Sequence, residues 1–383
     1  MGAYHQLGHD SWNLVDEDGL EGYRGLILSP VNYSPQKTLE RLQSTKRRES
    51  LEVILDPQFY TPNSERGKLS EWTHFDANLD TTDLGDIAWW QSRNAELIQQ
   101  ANAVEASAVC SLAMVPREYS NEYYRWIAGV ASDLSGPASD SGLSVLTTAL
   151  VPISELAKKN RASEIAGLLT SSPVLERVYL VLVDDVAPRK HRGDQEGLGG
   201  AVELIRLLEE AGVQVLVAFS GLDLLLWKAA GASHIATGKF LNLRRFTPGR
   251  WEEQKDDQGR VVPYWTDQEF VTWLREADLV MLLRRALIDE TAARTNPFSA
   301  RILDILAAAK GEPWVGLGWR QYLWWAMDAD KKYQSDPNAV RELLARANAK
   351  WMDLRDKKFV LYEADAEARW VTAWINALAI GGV

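Results

Sequence analysis

The stretch VYLVLVDD, residues 178–185, sets six apolar residues in a row before two aspartates. A strand with one face in water alternates apolar and polar residues. This run does not alternate, so both of its faces are expected to be covered. Downstream, GAVELIRLLEEAG (200–212) has the apolar spacing of a helix, with Gly212 as its stop. A second continuous run, VQVLVAF (213–219), follows at once. Strand, covering helix and strand in that order describe a parallel βαβ unit.

The same alternation extends both ways. Upstream lie RGLILSP (24–30), LEVILDPQFY (51–60), SAVCSLAMVP (107–116) and LSVLTTALVP (143–152). Downstream, HIATGKF (234–240) makes the seventh strand candidate. Helical patterns such as DLGDIAWWQSRNAELIQQANA, YSNEYYRWIAGVASDL, ISELAKKNRASEIAGLLTS and GLDLLLWKAAGA separate them. Seven or eight such units over roughly 250 residues predict a (β/α)8 TIM-like barrel. The eighth strand is placed at DLVMLL (278–283), after an insert at 251–265. A doubly wound open sheet is the alternative, but no GxGxxG follows the first strand, which weakens its dinucleotide-binding form. From Asn296 onward the chain reads as helical and holds Trp314, Trp319, Trp324, Trp325, Trp351, Trp370 and Trp374. Residues 1–290 are therefore expected to form the barrel, and 291–383 a Trp-rich helical extension. Those tryptophans either pack as core against the barrel or anchor a partner.

The chain has 383 residues with 42 Lys and Arg against 53 Asp and Glu, a formal charge of -11. That balance argues against wholesale binding to nucleic acid or to an anionic membrane, since phosphate affinity comes from many cations. Any polyanion site has to be local. A single cysteine, Cys110, forms no disulfide within the chain and rules out zinc sites that need two or more cysteines. The cytoplasm is the expected compartment. The N-terminal residues lack a basic start and an apolar core, so no signal peptide is expected, and no apolar run reaches 18 residues. His5 and His9 are four apart, but no HExxH motif accompanies them. No metal and no cofactor are expected.

In such a barrel, ligands gather at the C-terminal ends of the strands. That rule selects Asp56, Asp184, Asp185, Ser220, Asp223, Lys239, Asn242, Arg244 and Arg245 as candidate binding residues. Only one of Asp184 and Asp185 can face the mouth, because successive strand residues point to opposite faces. An inward carboxylate suits a purine-like N–H edge or a general-base role. Either aspartate could instead simply bind backbone amides, and Asp56 before Pro57 could simply start a turn. Lys239 after Gly238 suits phosphate binding or a Schiff base. The basic run through Arg250 is either a solvated loop or an anion-binding one.

The segment 221–249, GLDLLLWKAAGASHIATGKFLNLRRFTPG, resembles the part of tRNA-guanine transglycosylases where a helix leads into the last barrel strand and a basic loop. VYLVLVDDVAP (178–188) is similar to the strand whose aspartate holds the base in that family. Ala236 and Thr237 stand near the place of the family's nucleophilic aspartate, and its Cys-x-Cys-x-x-Cys zinc motif and Ser-Gly-Gly-Phe motif are absent. These departures speak against base exchange into tRNA. The chain looks like a zinc-lacking, transglycosylase-like barrel of anti-phage defence operons, such as type IV CBASS. That resemblance implies a 7-deazaguanine-type base on Asp184 or Asp185. It further implies a phosphate or modified partner facing Lys239 to Arg245, and a partner protein from the operon. Nucleic acid stays open as a partner. Two other functions compete: a barrel enzyme acting on a small phosphorylated or carboxylated metabolite, and a non-catalytic scaffold that uses the Trp-rich tail.

Overall fold

The computed structural model describes residues 2–62, 64, 66–75, 79, 82–172, 174–251, 261–362 and 369–383. The expected insert therefore lies outside the described residues over 252–260, as does the start of the last expected helix over 363–368.

Eight parallel strands close on one another: β1 Tyr4–Gln6, β2 Gly25–Leu28, β3 Glu52–Leu55, β4 Ala108–Cys110, β5 Ser144–Pro152, β6 Arg177–Val183, β7 Gln214–Val217 and β8 His234–Thr237. Each pairs with the next, and β8 returns to β1 through Ala236 opposite Tyr4 and Thr237 opposite His5. The fold is a TIM barrel. The seven apolar runs are seven of its strands, though most end sooner than the runs do. The run at 51–60, for example, leaves the strand after Leu55.

The eighth strand is not 278–283. Those residues lie in the helix Glu276–Arg284, which buries Asp278, Leu279 and Leu282 on one face. A six-residue apolar run has no periodicity that separates strand from helix. The missing strand is β1, whose sequence Tyr-His-Gln is short and polar yet wholly buried. Two of its three side chains find polar partners, and His5 packs against the Tyr23 ring. Tyr4 donates to Glu52, and Gln6 Nε2 donates to Tyr179 Oη at 3.2 Å. Gly25 opens β2 because a Cβ there would lie 2.2 Å from the Glu52 carbonyl oxygen.

Side-chain caps set several helix starts. Ser34 caps Pro35–Gln43, and Asp194 accepts from Gly197 N at 3.1 Å to cap Gln195–Glu210. After β8 the chain forms the antiparallel hairpin Trp265–Asp267 and Thr272–Leu274, unforeseen in the sequence. The helices Pro297–Ala308, Val315–Lys332, Pro337–Asp356 and Arg369–Ile380 follow. Val315–Lys332 covers β8 and the helix Leu224–Ala229, and Arg369–Ile380 lies on Gln195–Glu210. The contact is fixed by polar groups as well as apolar ones. Lys228 Nζ meets Asp330 Oδ1 at 2.9 Å with both side chains buried, and Tyr23 Oη donates to the Leu323 carbonyl at 2.8 Å. Five of the seven tail tryptophans are buried and two, Trp319 and Trp324, are half-buried, so this aromatic set packs mainly as core. Among the described residues no helix is long and apolar enough to cross a membrane.

Candidate functional site

The loop after β8 decides where a ligand can sit. Gly238 turns the chain against its neighbours, and a Cβ there would lie 2.6 Å from Leu243 and 2.7 Å from the Gln6 carbonyl oxygen. The loop then crosses the mouth of the barrel. Phe246 pairs with Val183 at the end of β6, and Asp184 N donates to the Phe246 carbonyl at 3.3 Å. This crossing drops aromatic rings onto the barrel axis. Phe246 lies 4.9 Å from the Tyr60 ring and 5.3 Å from Phe219, and Trp251 lies 4.9 Å from Tyr60. Arg250 stacks over Phe219 and Trp251.

Asp56 is sealed beneath that plug. Its carboxylate accepts from Gln58 N at 2.9 Å, from Tyr60 Oη at 2.9 Å and from Tyr179 Oη at 3.2 Å. Burial pushes its carboxyl up to about 6, against the pull of these hydrogen bonds. Burial and the nearby Asp56 also raise the Cys110 thiol well above its ordinary value, so Cys110 is no nucleophile.

Asp184 and Asp223 are tied to one cation. Arg192 Nε meets Asp184 Oδ2 at 2.7 Å, and Arg192 Nη1 pairs with Asp223 Oδ2. Arg245 stands beside this group and donates to the carbonyls of Val186, Ala187 and Lys190, the last at 2.6 Å. Together they staple the loops after β6, β7 and β8 to each other. Ser220 is structural too. Its hydroxyl donates to the Val217 carbonyl, and its own carbonyl accepts from Thr237 and Tyr322. Asp185 differs. It is exposed, makes no hydrogen bond or ion pair among the described residues, and lines a cleft of about 580 Å³ with Tyr119 and Pro248. Among the described residues the Tyr119 hydroxyl there has no hydrogen-bond partner.

Lys239, Asn242 and Arg244 share another cleft, of about 370 Å³, between the rim at β8 and the helical extension. Arg189, Arg275, Tyr264 and Trp319 complete its polar and aromatic lining. Arg244 is oriented by the carbonyls of Gly238 and Lys239, at 3.1 and 2.7 Å, and lies 3.3 Å from the centre of the Tyr322 ring. Burial pulls its guanidinium down to about 10. A cavity of about 570 Å³ adjoins across Arg189 and Tyr264, adding Lys190, His191 and Arg369. Another of about 410 Å³ adjoins across Phe240 and Asn242, adding Arg66, Lys68 and Arg250. Among the described residues no Asp or Glu lines any of the three. His191 stays neutral there. It is held between Trp273 and Trp370, and burial, with Arg245 nearby, pulls its imidazole down to about 3.

The expected site residues thus do not converge on one rim. They divide among a sealed interior, an ionic staple and two clefts, because the loop after β8 fills the mouth they were expected to share. Arg189, Arg275, Tyr264 and Trp319 were missed as site residues. Arg189 opens the visible basic run Arg-Lys-His-Arg (189–192), but Arg275 and Tyr264 carry no signal of their own. Among the described residues no group of three or more His, Cys, Asp or Glu side chains is placed to hold a metal.

No protein-family model matches this chain, and no curated protein matches it. Solved structures do. The type I 3-dehydroquinate dehydratase of Clostridium difficile is 8% identical, over 65% of this chain and 88% of its own, with a TM-score of 0.35. D-psicose 3-epimerase is 10% identical over 62% and 84%, with a TM-score of 0.34. The catalytic domain of the endo-beta-1,4-mannanase of Bacillus sp. JAMB-750 is 11% identical over 69% and 80%, with a TM-score of 0.39. None of these is a transglycosylase or a defence protein. Likenesses this distant carry no functional argument, and the barrel stands on its own strand pairing.

Proposed function

We propose that this protein binds, and acts on, a small metabolite bearing a phosphate or carboxylate and a planar group, in the cleft between β8 and the helical extension. One observation carries this reading. A chain with a net charge of -11 lines that cleft with Arg189, Lys239, Arg244 and Arg275 and with no described carboxylate. Lys239 and Arg244 face the same cavity, so an anion there would meet both positive charges. Guanidinium groups suit the paired oxygens of phosphate and carboxylate. The rings of Phe240, Tyr264 and Trp319 supply apolar walls for a planar part. The step from binding to catalysis rests on analogy, since TIM barrels usually house enzymes. Calorimetry with inorganic phosphate and with an aromatic carboxylate tests the binding. Saturable heat that weakens as salt rises is expected, and no heat from either probe refutes the reading.

A second reading is favoured by Asp185 alone. A purine-like base of the 7-deazaguanine type could present its N–H edge to this unpaired carboxylate, beside the hydroxyl of Tyr119. This reading keeps the defence role and a partner protein from the same operon. Titration with a 7-deazaguanine base decides it, and absence of binding ends it.

A further inference from the structure

We propose that Lys239 is a covalent site, its Nζ condensing with the carbonyl of a small carbonyl-bearing anion to form an imine. This rests on the reading of the cleft as an anion site and names its substrate class: a 2-oxo carboxylate or a keto phosphate.

Six Lys and Arg side chains are buried among the described residues, and five of them have polar partners. Lys228 has Asp330, Arg192 has Asp184 and Asp223, and Arg161 has Glu155 and Glu164. Arg244 and Arg245 are held by carbonyls. Lys239 is 4% exposed and has no hydrogen bond or ion pair to any described residue. Its Nζ instead lies 4.6 Å from the centre of the Phe240 ring and 4.9 Å from that of Trp319. A structural lysine would have a carbonyl or carboxylate at its tip. This amine projects from the end of a barrel strand into a cavity of about 370 Å³ and is left unspent.

Burial shifts this amine toward its neutral, nucleophilic form relative to a free lysine. Burial lowers the lysine from its ordinary value, Asp10 opposes this, and Arg320 adds to it. The two rings favour the ammonium and so oppose part of this lowering, while they hold the side chain in place. His5 stands behind it. Burial foremost, with Lys239 adding, pulls His5 down to about 3, so it adds no positive charge.

The step balances without a redox partner. The Nζ lone pair attacks the carbonyl carbon, the carbonyl π bond opens, and the oxygen takes up protons and leaves as water. A C=N bond then joins lysine and substrate. The anionic group of the substrate sits with Arg189 and Arg275 across the same cavity, which holds the carbonyl near Nζ. The imine then draws electrons from the neighbouring carbon, the usual purpose of a Schiff-base lysine.

The test incubates the full chain with pyruvate, or in a separate arm with dihydroxyacetone phosphate, in the presence of sodium borohydride. Intact mass and peptide mapping follow. The expected result is one reduced adduct per chain, mapped to residue 239, in at least one arm. Lys239→Arg keeps the charge and should lower trapping at least tenfold. Phosphate binding is measured on the same samples. No adduct while phosphate still binds overturns the imine and leaves the anion site standing. No adduct and no phosphate binding removes both. Adducts scattered over surface lysines, or undiminished in Lys239→Arg, also overturn the proposal. Mapping in the unsubstituted protein keeps it open to refutation even if the variant misfolds.

Discussion

Replacing Asp56 by Asn tests whether the barrel axis is dry. Asp56 is 1% exposed beneath Tyr60, Phe246 and Trp251, and burial raises its carboxyl from 3.8 to about 6. The folded state therefore holds the proton more tightly than the unfolded chain does. Stability from this group is fully present below pH 3.8 and is lost as the pH rises through about 6. At 1.36 kcal/mol for each pH unit, that gap is worth about 3 kcal/mol, of which about 2–3 kcal/mol falls between about pH 4 and pH 7. Asn resembles the protonated acid and does not titrate. The stability of the native sequence relative to Asp56→Asn should therefore fall by about 2–3 kcal/mol between about pH 4 and pH 7. Urea unfolding followed by tryptophan fluorescence, run on both proteins at each pH, reads this difference. If it stays constant to within about 0.5 kcal/mol, the carboxyl is hydrated and the aromatic plug does not seal the mouth.

Three further outcomes are expected. Lys228→Met leaves Asp330 buried without its partner and should lower stability by about 3–5 kcal/mol, while adding Asp330→Leu should recover most of the loss in the same urea assay. A double variant no better than the single one would show that the pair is not the source. Arg275→Gln should weaken phosphate binding about tenfold or more in calorimetry and flatten its salt dependence; unchanged affinity would remove Arg275 from the site. Under the second reading, Asp185→Asn should abolish binding of a 7-deazaguanine base and leave phosphate binding as it was, because the two clefts share no lining residue.

Much of the barrel is legible in the chain because each unit declares itself locally. The run 178–183 must be covered on both faces whatever surrounds it, and 200–212 must turn one face inward. The strand Tyr4–Gln6 is not legible. Three polar residues give no pattern, and they become strand only because Glu52, Tyr179 and Thr237 stand ready to pair with them. The run 278–283 misleads for the opposite reason, since its apolar residues fit a strand and a helix equally. Of the candidate site, the rule that ligands gather at strand ends found Lys239, Asn242 and Arg244. It did not show that Asp184 and Asp223 would both be taken by Arg192, since no sequence spacing reveals which cation a carboxylate meets.

The sequence by itself determined the repeated strand and helix units, the acidic balance and the basic segment after the last strand, because composition and periodicity are properties of neighbours along the chain. Tertiary structure alone decided that this segment crosses the mouth and fills it with Phe246, sealing Asp56 below. It also decided that Arg189, Lys239, Arg275 and Trp319 face one cavity. These residues are scattered over more than a hundred positions, and only closure of the barrel and docking of the extension bring their charges within reach of a single anion.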